Sequence, residues 1–126
     1  MREEHGLRHR AAMAGMIDAY GKIKKLLSRL PLPIRVPSLR GELYRCEVRA
    51  GLVQAFMVVG DLPMDVHARQ SLREVIGDWL IAVEFMFRDE EDEAAWHLDV
   101  VQTQLRRILT TSEKVETLLA TSTSHG

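Results

Sequence analysis

From residue 94 onward an apolar or small side chain recurs at every third or fourth position: Ala94, Leu98, Val101, Leu105, Ile108, Ser112, Val115 and Leu119. At about 100° per residue these positions share one face of a helix. A stretch that keeps near-heptad spacing for this long is a helix with one buried seam. Such a helix is not stable alone, so the rest of the chain must supply the surfaces that cover it.

Three further segments have the right pattern. Met13, Met16, Ile17, Tyr20, Ile23, Leu27 and Leu30 mark a helical face between Leu7 and Leu30. The segment PLPIRVP, residues 31–37, ends it, because three prolines remove amide donors and push their predecessors out of the helical region. Ser38 is an expected N-cap for a second helix, and GDLPMD, residues 60–65, closes that helix with Gly60 and Pro63 and offers Asp65 as the next cap. Leu72, Ile76, Trp79, Val83 and Met86 then line a third helix. No strand-like alternation, internal repeat or second domain competes with this reading. The expected fold is all-α: one antiparallel four-helix-bundle domain over residues 1–126, with 1–6 and 120–126 flexible.

The two middle helices carry apolar residues on both sides. In the second, Leu39, Leu43, Cys46, Ala50, Val53 and Met57 form one stripe, expected to fill the core, and Tyr44, Val48, Leu52, Ala55 and Val59 form another. In the third, Ile81 and Phe85 lie opposite the main stripe. An apolar stripe left in water marks a partner surface. Tyr44, Val48, Leu52, Val59, Ile81 and Phe85 are therefore the expected interface of a homo-oligomer, through two-fold or head-to-tail contacts.

Composition excludes several classes. With 46% hydrophobic and 28% charged residues the chain is neither disordered nor dependent on a staple, and it has no apolar run near the roughly 20 residues of a membrane span. MREEHGLRHR lacks the apolar stretch of a secretory signal, so a cytoplasmic location and no membrane contact are expected. Cys46, the single cysteine, reads as a small buried hydrophobe.

No catalytic residues, metal ligands or cofactor are expected. Ser71 and Ser112 have no recognisable His and acid partners, phosphate-cradling glycine loops are absent, and Glu93 and His97 lack the spacing and the second copy of a ferritin-like site. The run DEEDE, residues 89–93, reads as a helix start. A histidine phosphotransfer module would need one exposed helical histidine, for which His97 and His67 are the candidates.

The net charge of −1 hides a division: residues 1–60 carry +6 and residues 61–126 carry −7. Lys22, Lys24, Lys25, Arg29, Arg35, Arg40, Arg45 and Arg49 are the candidates for contacting phosphates or a polymerase, with few aromatics among them to stack on bases.

RGELYRCEVRAGLVQAFMVVGD, the preceding LPLPIRVP, the later LREVIGDWLIAVEF and the final QLRRIL resemble the accessory variability determinant (Avd) proteins of diversity-generating retroelements, over roughly Ala19 to Val115. The resemblance implies a homo-oligomeric ring, a pentamer in that family. It also implies a non-catalytic subunit that associates with a reverse transcriptase and with template RNA, with DNA as a further partner, and supports mutagenic reverse transcription. The basic residues named above are the positions to which those contacts carry over. The alternative is an oligomeric four-helix-bundle scaffold that binds proteins and no nucleic acid.

Overall fold

The computed structural model describes residues 2–39 and 46–124, with side chains for 3–39 and 47–121. All regular structure among them is helical: α1 (Arg2–Ser28), α2 (Cys46–Val59), α3 (Val66–Glu91) and α4 (Ala95–Ser124). None is long and apolar enough to cross a membrane. Arg40, Tyr44 and Arg45, and the side chain of Cys46, lie outside the described residues. Helix extends into both end segments expected to be flexible. Glu3 and Glu4 occupy the first turn of α1, where carboxylates meet the positive end of the helix.

The helices do not alternate up and down as expected. His5 pairs with Asp89, and Trp79 bonds the Met16 carbonyl, so α1 runs antiparallel to α3. Arg8 pairs with Asp99 and Gly15 abuts Leu105, so α1 runs parallel to α4. Arg49 pairs with Glu84 and Phe56 accepts from Arg73, which sets α2 antiparallel to α3 as well. Three helices thus share one direction and α3 opposes them all.

The proline segment is the cause. After α1 the chain turns at Leu30 and runs back alongside the helix it has just left. The Ile34 amide donates to the Leu27 carbonyl at 3.1 Å, and the Tyr20 hydroxyl donates to the Pro37 carbonyl. Lys24 donates to Ser38 Oγ at 3.0 Å, so Ser38, expected to cap α2, instead serves this return strap. A hypothetical Cβ on Gly51 would lie 2.8 Å from Pro37 Cδ, which shows how closely the strap approaches α2. Three prolines in seven residues reduce the amide donors that an extended strap cannot satisfy within itself, which suits this role. The strap brings the chain back as far as the level of Tyr20, where it packs on Gly51, so that α2 can run in the same direction as α1.

The core is continuous through α1, α3 and α4, with Met16, Tyr20, Ile23, Leu27, Leu72, Ile76, Trp79, Met86, Leu98 and Val115 almost fully buried. Each large aliphatic side chain hidden this way contributes about 1.5–3 kcal/mol. Ser112 is buried on the α4 seam as expected, whereas Ile17 on α1 is exposed.

On α2 the expected roles of the two stripes are exchanged. Val48, Leu52, Ala55 and Val59 are core residues, while Val53 is 46% and Met57 64% exposed. Val48, Leu52 and Val59 therefore do not stand free as an oligomer surface in the isolated chain. The stripe that faces α3 and the strap is the one that packs, and periodicity alone does not say which of two apolar stripes that is.

Asp65 caps α3 as expected, accepting from the Ala68 amide at 3.0 Å. Residues 89–93 do not begin a helix: α3 continues through Glu91, Asp92 is its C-cap, and α4 starts after Ala94. This tight reversal makes α3 and α4 an antiparallel pair, tied lower down by Arg107 and Asp78 at 3.4 Å.

Candidate functional site

The basic residues divide into two groups. Lys22, Lys24, Lys25 and Arg29 on the second half of α1, with Arg35 on the strap, are all exposed, and none is in an ion pair among the described residues. Lys22, Lys25 and Arg29 recur at the spacing of one helix side, and Lys24 lies round toward Ser38. Glu116 shares a shallow cavity with Arg29. Arg49 is otherwise engaged: it pairs with Glu84, and its guanidinium sits 5.3 Å from the centre of the Phe87 ring. Lys22, Lys25 and Arg29 thus share one side of α1, Lys24 lies round toward the strap that carries Arg35, and Arg49 is set apart, between α2 and α3.

Of the expected interface residues that are described, only Ile81 presents a large exposed surface, at 47%. Phe85 is spent within the chain, edge-on to Trp96 with ring centres 5.5 Å apart and also near the His97 ring. Ile81 lines a groove with Phe56, Gly77 and Asp78 along the outside of α3, and Arg73 lies over the Phe56 ring at 4.1 Å. Val53 and Met57 on α2 are also exposed, so the apolar side chains that reach the described surface differ from those expected.

A polar site that spacing did not reveal lies at the α3–α4 turn. Asp89 is 1% exposed, yet it is surrounded by donors from α1, α4 and the turn. His5 Nε2 reaches its two oxygens at 3.1 and 2.9 Å, His9 Nδ1 reaches Oδ2 at 2.8 Å, and His97 Nδ1 reaches Oδ1 at 3.4 Å. The Ala94 amide adds a fourth donor at 3.2 Å. Burial alone would raise the carboxyl, but hydrogen bonds from His9, Ala94 and His5, with the nearby charge of His5, hold it below the ordinary carboxylate value. Asp89 is therefore ionised and accepts only, and each imidazole nitrogen facing it carries a proton. Among the described residues no three His, Cys, Asp or Glu groups form a metal shell, because the imidazoles point at the carboxylate rather than at a shared space.

This arrangement removes His97 from contention as an exposed phosphate acceptor, since its ring is buried and held by Asp89. His67 is exposed on α3. The signal available in the sequence was the four-residue interval between His5 and His9, which puts both rings on one helix face. Nothing in the sequence linked that face to position 89.

One further buried acid is present. Asp78 is pushed up by burial, against the pull of Arg107 and with a further push from Glu74. Compared with known proteins, the chain matches no family model, no curated protein and no solved structure.

Proposed function

We propose that the protein is a non-catalytic accessory subunit of the retroelement type, which holds template RNA against the basic half of α1 and serves a reverse transcriptase as a self-associating scaffold. The observation that carries this reading is that Lys22, Lys24, Lys25, Arg29 and Arg35 are all exposed and outside any ion pair among the described residues. Cations committed to no protein acid can release counterions from a phosphate backbone, which supplies affinity without base readout. The exposed Val53, Met57 and Ile81 support self-association, since a neighbouring copy would cover them. The ring and its five-fold count rest on the family resemblance.

The test is anisotropy of labelled single-stranded RNA at a series of salt concentrations, with the full chain and a Lys22→Ala, Lys24→Ala, Lys25→Ala triple variant. With each phosphate contact adding about 0.7 to the slope of log affinity against log salt, five contacts predict a slope of about −3 to −4. The triple variant should fall to about half that slope. No binding at low salt, or binding unchanged in the variant, overturns the RNA reading. In that case the scaffold without nucleic acid becomes the better one, a role favoured by the engagement of Arg49 with Glu84.

A further inference from the structure

We propose that an apolar cleft between α1 and α4 seats one unstacked nucleobase of single-stranded RNA while Lys22, on its wall, takes the phosphate. This rests on the RNA reading above and adds a contact to the base, which the cations alone do not supply.

The cleft has a volume of about 160 Å3, and its apolar lining comes from Ala19 on α1 and from Leu105, Ile108 and Leu109 on α4. Ala19 and Ile108 are buried, whereas Leu109 is 45% exposed at the edge. A space of about 150 Å3 takes one benzene ring, so a six-membered base ring fits here. The cleft is open to solvent, and a strand can lie outside it with one base turned in. Covering Leu109 in this way removes apolar surface from water, a gain that does not depend on salt.

The polar groups of the lining decide what kind of polyanion suits it. Asp18 and Lys22, one helical turn apart, are both exposed, and neither is in an ion pair among the described residues. The same combination recurs farther along α1, where Arg29 shares a shallow cavity with Glu116, Leu119 and Ala120 of α4. A peptide rich in aspartate and glutamate would bring its carboxylates against Asp18 and Glu116 as well as to the cations. A nucleotide avoids that conflict: its phosphate meets the ammonium, and an amino group on its base edge donates to the carboxylate, as cytosine N4 does to an aspartate. In a duplex that edge is paired and the ring faces are stacked, so the cleft selects single-stranded RNA.

The experiment measures anisotropy of two labelled strands of equal length, oligocytidylate and its abasic counterpart, across a salt series with the full chain. The abasic strand should bind about tenfold more weakly at every salt concentration with the same slope, because the slope counts phosphates and the base adds a salt-independent contact. Leu109→Ala, at an exposed position that does not threaten folding, should weaken oligocytidylate about three- to fivefold and leave the abasic strand as it was. Asp18→Ala should shrink the preference for oligocytidylate over oligouridylate, whose base presents a carbonyl where cytosine carries its amino group. Failure of both strands to bind at low salt overturns the RNA reading and the base site together. Equal binding of the two strands, or binding of oligocytidylate undiminished in Leu109→Ala, overturns the base site and leaves the phosphate contacts standing. If Leu109→Ala instead lowers the mass measured by light scattering, or loses a glutamate-rich peptide that the parent chain binds, while its RNA affinity holds, a protein surface covers the cleft and the base site is overturned.

Discussion

The indole nitrogen of Trp79 donates a 2.9 Å hydrogen bond to the backbone carbonyl of Met16, joining the centre of α3 to the centre of α1. The ring is fully buried and tilts against Tyr20 with centres 5.4 Å apart. Trp79→Phe keeps most of the volume and loses the donor, so it should destabilise the fold by about 1 kcal/mol. Trp79→Ala adds a cavity and should take about 3–5 kcal/mol. Urea unfolding followed by circular dichroism separates the two.

The Asp89 cluster sets a pH dependence. Its carboxyl is depressed in the folded chain relative to the ordinary 3.8, so its contribution is fully present above that value and disappears as pH falls through the lower folded one. Acid unfolding of Asp89→Asn should therefore depend less steeply on pH below about 4 than that of the parent chain. At neutral pH the same variant should be less stable by about 3 kcal/mol, because three imidazoles and an amide lose an anionic acceptor. Equal acid profiles would show that the cluster does not hold its charge in this way.

The two stripes of α2 make opposite predictions. Leu52→Ala should destabilise by about 2–5 kcal/mol. Met57→Glu should leave monomer stability within about 0.5 kcal/mol. If copies associate through the exposed apolar side chains, Met57→Glu with Ile81→Glu should lower the mass measured by light scattering and keep the helical circular dichroism signal. Leu52→Glu, in contrast, should lose that signal.

Two glycines in helices should respond with opposite signs. A Cβ on Gly21 meets nothing within 4 Å, so Gly21→Ala should gain about 0.5–1 kcal/mol from helix propensity. A Cβ on Gly51 would press on the Pro37 ring, which cannot swing aside, and Gly51→Ala should lose about 1–3 kcal/mol. Thermal unfolding of the two variants reads both.

The helical content was legible because Leu98, Val101, Ile108 and Val115, and Leu72, Ile76, Trp79 and Val83, lie on stripes with one apolar side clearly dominant, and those stripes are buried. α2 was not legible in the same way. Val53 and Met57 are as apolar as Val48 and Leu52, and only the approach of α3 and the strap decides which pair is covered. The helix directions were hidden for a related reason: prolines at 31, 33 and 37 announce that a helix ends, not where the next segment goes. Residues 89–93 carry no Gly or Pro to mark a break, so a helix end looked like a beginning. The Asp89 cluster joins residues 80 and 84 positions apart, a relation that spacing along one helix does not contain.

The parallel course of α1 and α4 has a consequence for the order in which the molecule can be completed. As the chain leaves the ribosome, α1 emerges first, yet the side chains that cover it, Trp79, Asp89, Leu105 and Ile108, are made tens of residues later. The α3–α4 pair can close on itself as soon as its turn is made, through local contacts that form quickly. The helix synthesised first must therefore wait for the helix synthesised last, and through that interval its greasy side is what a chaperone would meet.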